Sequence, residues 1–234
     1  MLLYYITERR QFRGDQREQR RLLLAKIAEA ARCGVDYIQV REKDLSAREL
    51  ETLARAAVQV VRDNCSAERH SSRLLINSRI DVAIAAAADG VHLRSDDIAA
   101  SDARAIFATA EQRRREHSGQ PPIIGVSCHS LQAVDLAESH GANFVVYGPI
   151  FEKSETTQGH GLAALRAICR RRVAPAENHP ENTPHGFMPV LALGGVTLEN
   201  AQRCIQAGAA GVAGIRLFQE NEIEDVVRRL RPLG

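Results

Sequence analysis

Eight times along this chain a short run of β-branched and apolar residues is followed by a longer stretch whose apolar residues recur at helical spacing. That rhythm is the signature of repeated βα units building a parallel sheet. The strands are predicted at Leu2 to Ile6, Asp36 to Val40, Arg73 to Asn77, Gly90 to Leu93, Ile123 to Ser127, Phe144 to Tyr147, Pro189 to Leu193 and Gly211 to Ile215. Helical segments lie between them, among them Gln16 to Arg32, Ala47 to Asp63, Ala133 to Ser139, Leu162 to Arg172, Leu198 to Ala207 and Glu222 to Leu230. A doubly wound open sheet is the alternative. Eight units without a crossover break favour closure into a single (β/α)8 TIM barrel spanning residues 1–234, close to the roughly 250 residues such barrels use.

Local signals support the boundaries. Ser46 is placed to cap the helix from Ala47, with Glu49 in the capping-box position, and Thr197 to cap the helix from Leu198. Gly34, Gly141 and Gly208 each stand just past a predicted helix, where a left-handed residue ends it. One stretch breaks the rhythm: Ala174 to Phe187 carries three prolines together with His179 and His185 and reads as an irregular loop. In a barrel a helix-to-strand loop lies on the face opposite the active site, so these histidines are expected to be surface residues.

Composition removes several functions. The net charge of +2 arises from 31 basic and 29 acidic residues spread along the helices, which leaves no footprint for nucleic acid. The apolar start, Met1 to Ile6, is too short for a signal or membrane segment and reads as the first strand. Five cysteines, an odd number without a C-x-x-C pair, point to a reducing, cytoplasmic compartment. Self-association into a homo-oligomer is left open.

Barrel enzymes work at the C-terminal ends of their strands. After strands seven and eight, Gly194-Gly195 and Gly214 stand where many barrels bind a phosphate through backbone N–H groups, with Arg216 as an added cation. The expected partner is therefore a phosphorylated small molecule. After the second strand, alternation turns Gln39, Arg41 and Lys43 to one side and Glu42 to the other, and the cationic pair suits a diphosphate. Asp97, with Asp96 beside it, is placed either to hold Mg²⁺ or to cap the helix after Ile98. His129, beyond the fifth strand, is positioned for proton transfer, with Ser130 capping the next helix. His92 lies inside a strand, where packing and function are equally open readings.

The strings Tyr5-Ile6-Thr7, QVREKD from Gln39, LLIN from Leu74, DGVHL from Asp89, IGVSCHS from Ile124, YGPIF from Tyr147, LGGV from Leu193 and AGAAGV from Ala207 occur in an order and spacing that resemble the thiamin phosphate synthase and thiazole tautomerase family over almost the whole chain. The resemblance implies an enzyme of thiamin biosynthesis that joins hydroxymethylpyrimidine diphosphate to a thiazole phosphate and releases diphosphate with help from Mg²⁺. It implies that Gln39, Arg41, Lys43 and Asn77 bind the pyrimidine diphosphate, Ser127 the leaving diphosphate, Asp97 the metal, and Gly195 and its neighbours the thiazole phosphate. Lys43, Ser127 and His129 are then the residues that carry the reaction. Two positions depart from the synthase pattern: Ser78 stands where a metal-binding Asp is usual, and Thr156 where a loop Lys is usual, with Lys153 nearby. Those departures keep two alternatives open, a tautomerase-like isomerase using His129 and a non-catalytic thiazole phosphate binder.

Overall fold

A computed structural model of the chain describes residues 1–65, 72–114, 121–151, 159–170 and 188–233. Eight parallel strands close on themselves in sequence order: β1 (Leu2–Ile6), β2 (Tyr37–Val40), β3 (Arg73–Asn77), β4 (Gly90–Leu93), β5 (Ile123–Cys128), β6 (Phe144–Tyr147), β7 (Val190–Leu193) and β8 (Gly211–Gly214). The seam is made by β1 and β8, with Leu2 opposite Gly211 and Tyr5 opposite Gly214. The chain is thus a (β/α)8 barrel, and every predicted strand is present with ends shifted by no more than a residue.

The helices outside the barrel are α1 (Gln16–Arg32), α2 (Ala47–Asn64), α3 (Ile80–Ala86), α4 (Ala100–Arg114), α5 (Leu131–Ser139), α6 (Gly161–Cys169), α7 (Ala201–Gln206), α8 (Arg216–Gln219) and α9 (Ile223–Leu230). Ser46 and Glu49 form the full capping box at α2, and the Ser130 hydroxyl accepts the Ala133 N–H at α5. Gly34 and Gly141 take positive φ beyond α1 and α5, as their positions require. The Thr197 hydroxyl accepts the Glu199 N–H at 3.2 Å and its N–H donates to the Asn200 side chain, so it caps the turn over residues 198–200 that leads into α7, whose regular helix begins at Ala201. One cap assignment is corrected. Asp96 and Asp97 do not cap α4, which begins at Ala100, because Asp97 instead accepts the N–H of Arg94. The 174–187 loop lies outside the described residues. No helix among those described is long and apolar enough to cross a membrane.

Alternation along each strand sorts side chains into two cores. Leu3, Ile38, Ile76, Val91 and Val145 face out and pack with the helices. Tyr4, Ile6, Leu75, Phe144, Val146, Leu191 and Ala213 face in and fill the barrel. Tyr37 stacks on Phe144 at 4.7 Å, and Tyr4 meets the same ring edge-on at 5.3 Å. These rings plug the interior, so the inward positions one step further along the strands, Gln39, Asn77 and Ser127, emerge at the mouth above an apolar floor.

Candidate active site

Around β2, β3 and β4 the mouth is a chain of side-chain hydrogen bonds. Buried Gln39 donates from Nε2 to Asn77 Oδ1 at 3.1 Å, and Asn77 Nδ2 donates to Ser78 Oγ at 3.2 Å. Ser78 in turn donates to Asp97 Oδ2 at 2.6 Å. Ser78 sits at φ 58°, a left-handed conformation that turns the chain sharply after β3 and aims its hydroxyl across at the β4 loop. Asp97 is fully engaged, since Arg94 gives it a backbone N–H at 2.7 Å and a guanidinium contact at 3.1 Å. Burial pushes the Asp97 carboxyl up, but the hydrogen bonds from Ser78 and Arg94 outweigh it and hold the group below its ordinary value.

The rim between β1 and β2 rests on a buried charge cluster. Glu42, 4 % exposed, faces away from Arg41 as the alternation predicts and accepts from the Thr7 hydroxyl at 2.6 Å and from the Arg9 N–H at 3.0 Å. Burial raises the Glu42 carboxyl despite those donors. The Arg9 guanidinium bridges Glu42 at 3.3 Å and Asp44. The same Thr7 oxygen accepts the Arg41 N–H at 3.0 Å, which fixes where Arg41 leaves the strand. Half-buried Arg41 approaches Glu8 at 3.6 Å and lines the mouth, whereas Lys43 is exposed in the turn beyond β2 and is not among the residues lining the mouth cavity.

On the β4 and β5 side, His92 is 2 % exposed inside the barrel and its Nε2 lies 2.8 Å from Ser127 Oγ. Gly125 makes the room, because a Cβ there would stand 2.4 Å from the Phe144 ring and 2.8 Å from His92 Nδ1. Burial lowers the His92 pKa to about 3, so the ring is neutral near physiological pH. His129 is exposed at the end of β5, with Nδ1 2.6 Å from the Gly148 carbonyl oxygen. A carbonyl only accepts, so Nδ1 carries a proton, and in the neutral tautomer Nε2 is the acceptor. His160 stacks on Tyr147 at 5.2 Å and lies 6.4 Å from the His129 ring.

At β7 and β8 the walls are backbone. Gly194 and Gly195 both take positive φ, 97° and 64°, and a Cβ on Gly194 would stand 2.6 Å from Pro149 Cα. With Gly214 and exposed Arg216 they line a cavity of about 580 Å³, within the range of small-molecule sites. Arg41 lines the same cavity from the opposite side. The cavity thus gathers Arg41, Gly194, Gly195, Gly214 and Arg216, while Gln39, Asn77 and Ser127 stand at the same strand ends outside its lining, with Asp97 joined to Asn77 through Ser78. Lys153 and Thr156 lie outside the described residues.

Sequence reasoning missed Arg9 and left the role of His92 open. Arg9 stands in the run Glu8-Arg9-Arg10, a charge pattern too common to single out before geometry pairs it with Glu42. His92 carried a usable signal: with Ser127 on the adjacent strand, both inward-facing, the two side chains had to meet.

The donor set does not fit a resident Mg²⁺. Of the carboxylates near Asn77 only Asp97 reaches the mouth network, both of its oxygens are bonded within the chain, and no group of three or more His, Cys, Asp or Glu able to hold a metal occurs among the described residues.

Fold and mouth together define a (β/α)8 barrel with a polar, partly cationic pocket at the C-terminal ends of its strands. Residues 3–218 match the family model described as thiamine monophosphate synthase, and the chain belongs to that family. It is 37% identical over 214 residues to a putative thiamine-phosphate synthase of Geobacter sulfurreducens, covering 90% of this chain and 83% of the relative. It is 34% identical over 235 residues to a thiamine-phosphate synthase of Methanoculleus marisnigri, covering 98% and 93%. Among solved structures, a thiamine phosphate pyrophosphorylase from Pyrococcus furiosus superposes with a TM-score of 0.72 at 26% identity, over 99% of this chain and 94% of that one.

Proposed function

We propose that this protein is a thiamine-phosphate synthase, which joins hydroxymethylpyrimidine diphosphate to a thiazole phosphate and releases diphosphate. The observation that carries the reading is that Arg41 opens onto the same cavity as Gly194 and Gly195, so two phosphorylated ligands can meet in one space. Gln39 and Asn77 present amide groups to the pyrimidine end. Arg41, with Lys43 at the rim, faces the diphosphate, and Ser127 offers a hydroxyl to it. The glycine loops after β7 and β8 hold the thiazole phosphate with backbone N–H groups, and Arg216 adds charge.

In the reaction the carbon–oxygen bond to diphosphate breaks, leaving a pyrimidine-stabilised cation, and the thiazole nitrogen closes the new carbon–nitrogen bond. Negative charge grows on the departing oxygens, so cations and donors fixed in advance do most of the work. Mg²⁺, which the resemblance implies, finds Asp97 as its one carboxylate here, and no step is assigned to it. The cysteine usage supports a cytoplasmic setting.

Purified protein given both substrates is expected to release diphosphate, with Arg41→Ala slower by about 100-fold or more. Wild-type turnover no higher than that of Arg41→Ala and Lys43→Ala would sink the reading. A second reading, isomerisation of the thiazole by His129, is favoured by the Nε2 lone pair that Gly148 leaves exposed. It expects metal-independent isomerase turnover that His129→Asn abolishes.

A further inference from the structure

We propose that His92 is a positioning residue: from beneath the mouth it holds Ser127 Oγ as an acceptor, so that the serine's own proton points outward as a fixed donor to the anionic leaving group. The inference rests on the synthase reading for the identity of that anion.

The geometry begins with confinement. His92 is fixed between Tyr4, whose ring centre lies 5.5 Å away, and Phe144, at 6.1 Å, with the bare backbone of Gly125 against Nδ1. It is too deep to touch a substrate, but its Nε2 is 2.8 Å from Ser127 Oγ, and Ser127 is only half-buried at the end of β5. Whatever His92 does for a ligand, it does through that serine.

Two proton arrangements fit the contact. If Nε2 accepts the serine proton, Nδ1 must carry the ring's N–H, and Nδ1 is buried with no partner among the described residues. If Nε2 donates, only a lone pair is stranded at Nδ1. Orphaned N–H groups are the rarer and costlier of the two, so Nε2 carries the proton. Ser127 Oγ then receives a hydrogen bond from below and keeps its one proton to give upward. This is the reverse of a nucleophile with its base, where the second ring nitrogen donates to an orienting acceptor and the first takes the serine proton. The neutral state of the ring agrees with this: burial lowers its pKa to about 3, against a smaller upward pull from Asp97 and with a further downward push from Arg41.

The test uses the full chain, with inorganic diphosphate titrated calorimetrically and thermal unfolding run in parallel. Ser127→Ala and His92→Leu are each expected to weaken diphosphate binding about tenfold or more, as loss of one hydrogen bond to a charged group would. The double variant should lose no more than either single one. His92→Gln, whose amide can reach Ser127, should restore affinity to within about threefold of wild type. Should His92→Leu fail to fold, His92→Asn serves in its place, because its amide falls short of Ser127 while staying polar. A Leu or Asn variant that melts earlier but binds diphosphate as wild type does would overturn the inference, and so would losses that multiply in the double variant. Wild-type protein that does not bind diphosphate overturns it as well. If the binding pattern holds while the wild type shows no synthase turnover, the synthase reading fails and the positioning role stands.

Discussion

The mouth has two ends built from different materials. At β7 and β8 the surface is backbone, shaped by Gly194 and Gly195 at positive φ and closed by contact with Pro149. At β2 to β5 it is side chain, with Gln39, Asn77, Ser78 and Asp97 linked in sequence and His92 braced under Ser127. Backbone presents N–H groups at fixed positions and tolerates almost no added atom. A side-chain network tolerates exchange, because a lost donor can be replaced by a neighbour. Ser78 illustrates this: where the family pattern has a metal-binding Asp, a hydroxyl links Asn77 to Asp97 and the chain of hydrogen bonds stays continuous.

The sharpest way to break this contrast is Gly194→Ala. The left-handed φ of 97° strains any side chain, and the new Cβ would stand 2.6 Å from Pro149 Cα, a backbone atom that cannot swing aside. The Gly194 carbonyl also accepts the Phe151 N–H at 3.0 Å, so displacement carries into the loop after β6. We expect a loss of about 3 kcal/mol in stability by chemical denaturation, strain and overpacking combined. A loss below about 1 kcal/mol would show that the backbone end is as pliable as the other.

A smaller effect is expected at the side-chain end from Ser78→Asp. The left-handed backbone at residue 78 suits Asp as well as Ser, so the fold should accept it. The variant places a second carboxylate beside Asp97, and affinity for Mg²⁺ rises with the number of charged ligands. Calorimetric titration of the substrate-free protein should show about tenfold tighter Mg²⁺ binding than wild type. Equal affinity in the two proteins would mean that the residue at position 78 does not decide whether Mg²⁺ binds.

The same division explains what could be seen in the sequence. Strand period, helix period and the glycines after α1 and α5 state the barrel locally, and the glycine end of the mouth follows from residue type and strand number alone. Gln39, Arg41 and Asn77 were legible because alternation decides which way they face. Thr197 was legible as a cap from residue type, and its hydroxyl accepts the Glu199 N–H, although the regular turns of α7 start three residues later than the apolar spacing suggests. Asp97 was weighed between metal and cap, and its actual partners, Ser78 and Arg94, come from two different strand ends. The buried Arg9 and Glu42 pair was invisible for the same reason: 33 residues separate them, and only closure of β1 against β2 brings them together.

The mildest expected effect separates the ends by pH. No titratable side chain is part of the glycine pair, whereas His92 braces the other end with a pKa of about 3 in place of the ordinary 6.5. Between those values the unfolded chain binds a proton that the folded one refuses, so stability falls as pH drops below about 6.5. From pH 7 to pH 5.5 this amounts to about 1 kcal/mol, approaching 1.4 kcal/mol for each further unit. Glu42, raised by burial, acts in the opposite direction as it protonates, and Asp97, held low, contributes only at more acid pH. His92→Gln retains both of those groups and removes only the imidazole. Denaturation midpoints of wild type and His92→Gln should therefore converge as pH falls from 7 to 5.5. Parallel curves would mean that His92 ionises freely, and a charged imidazole under Ser127 would end the account of that end as a neutral, donor-fixed brace.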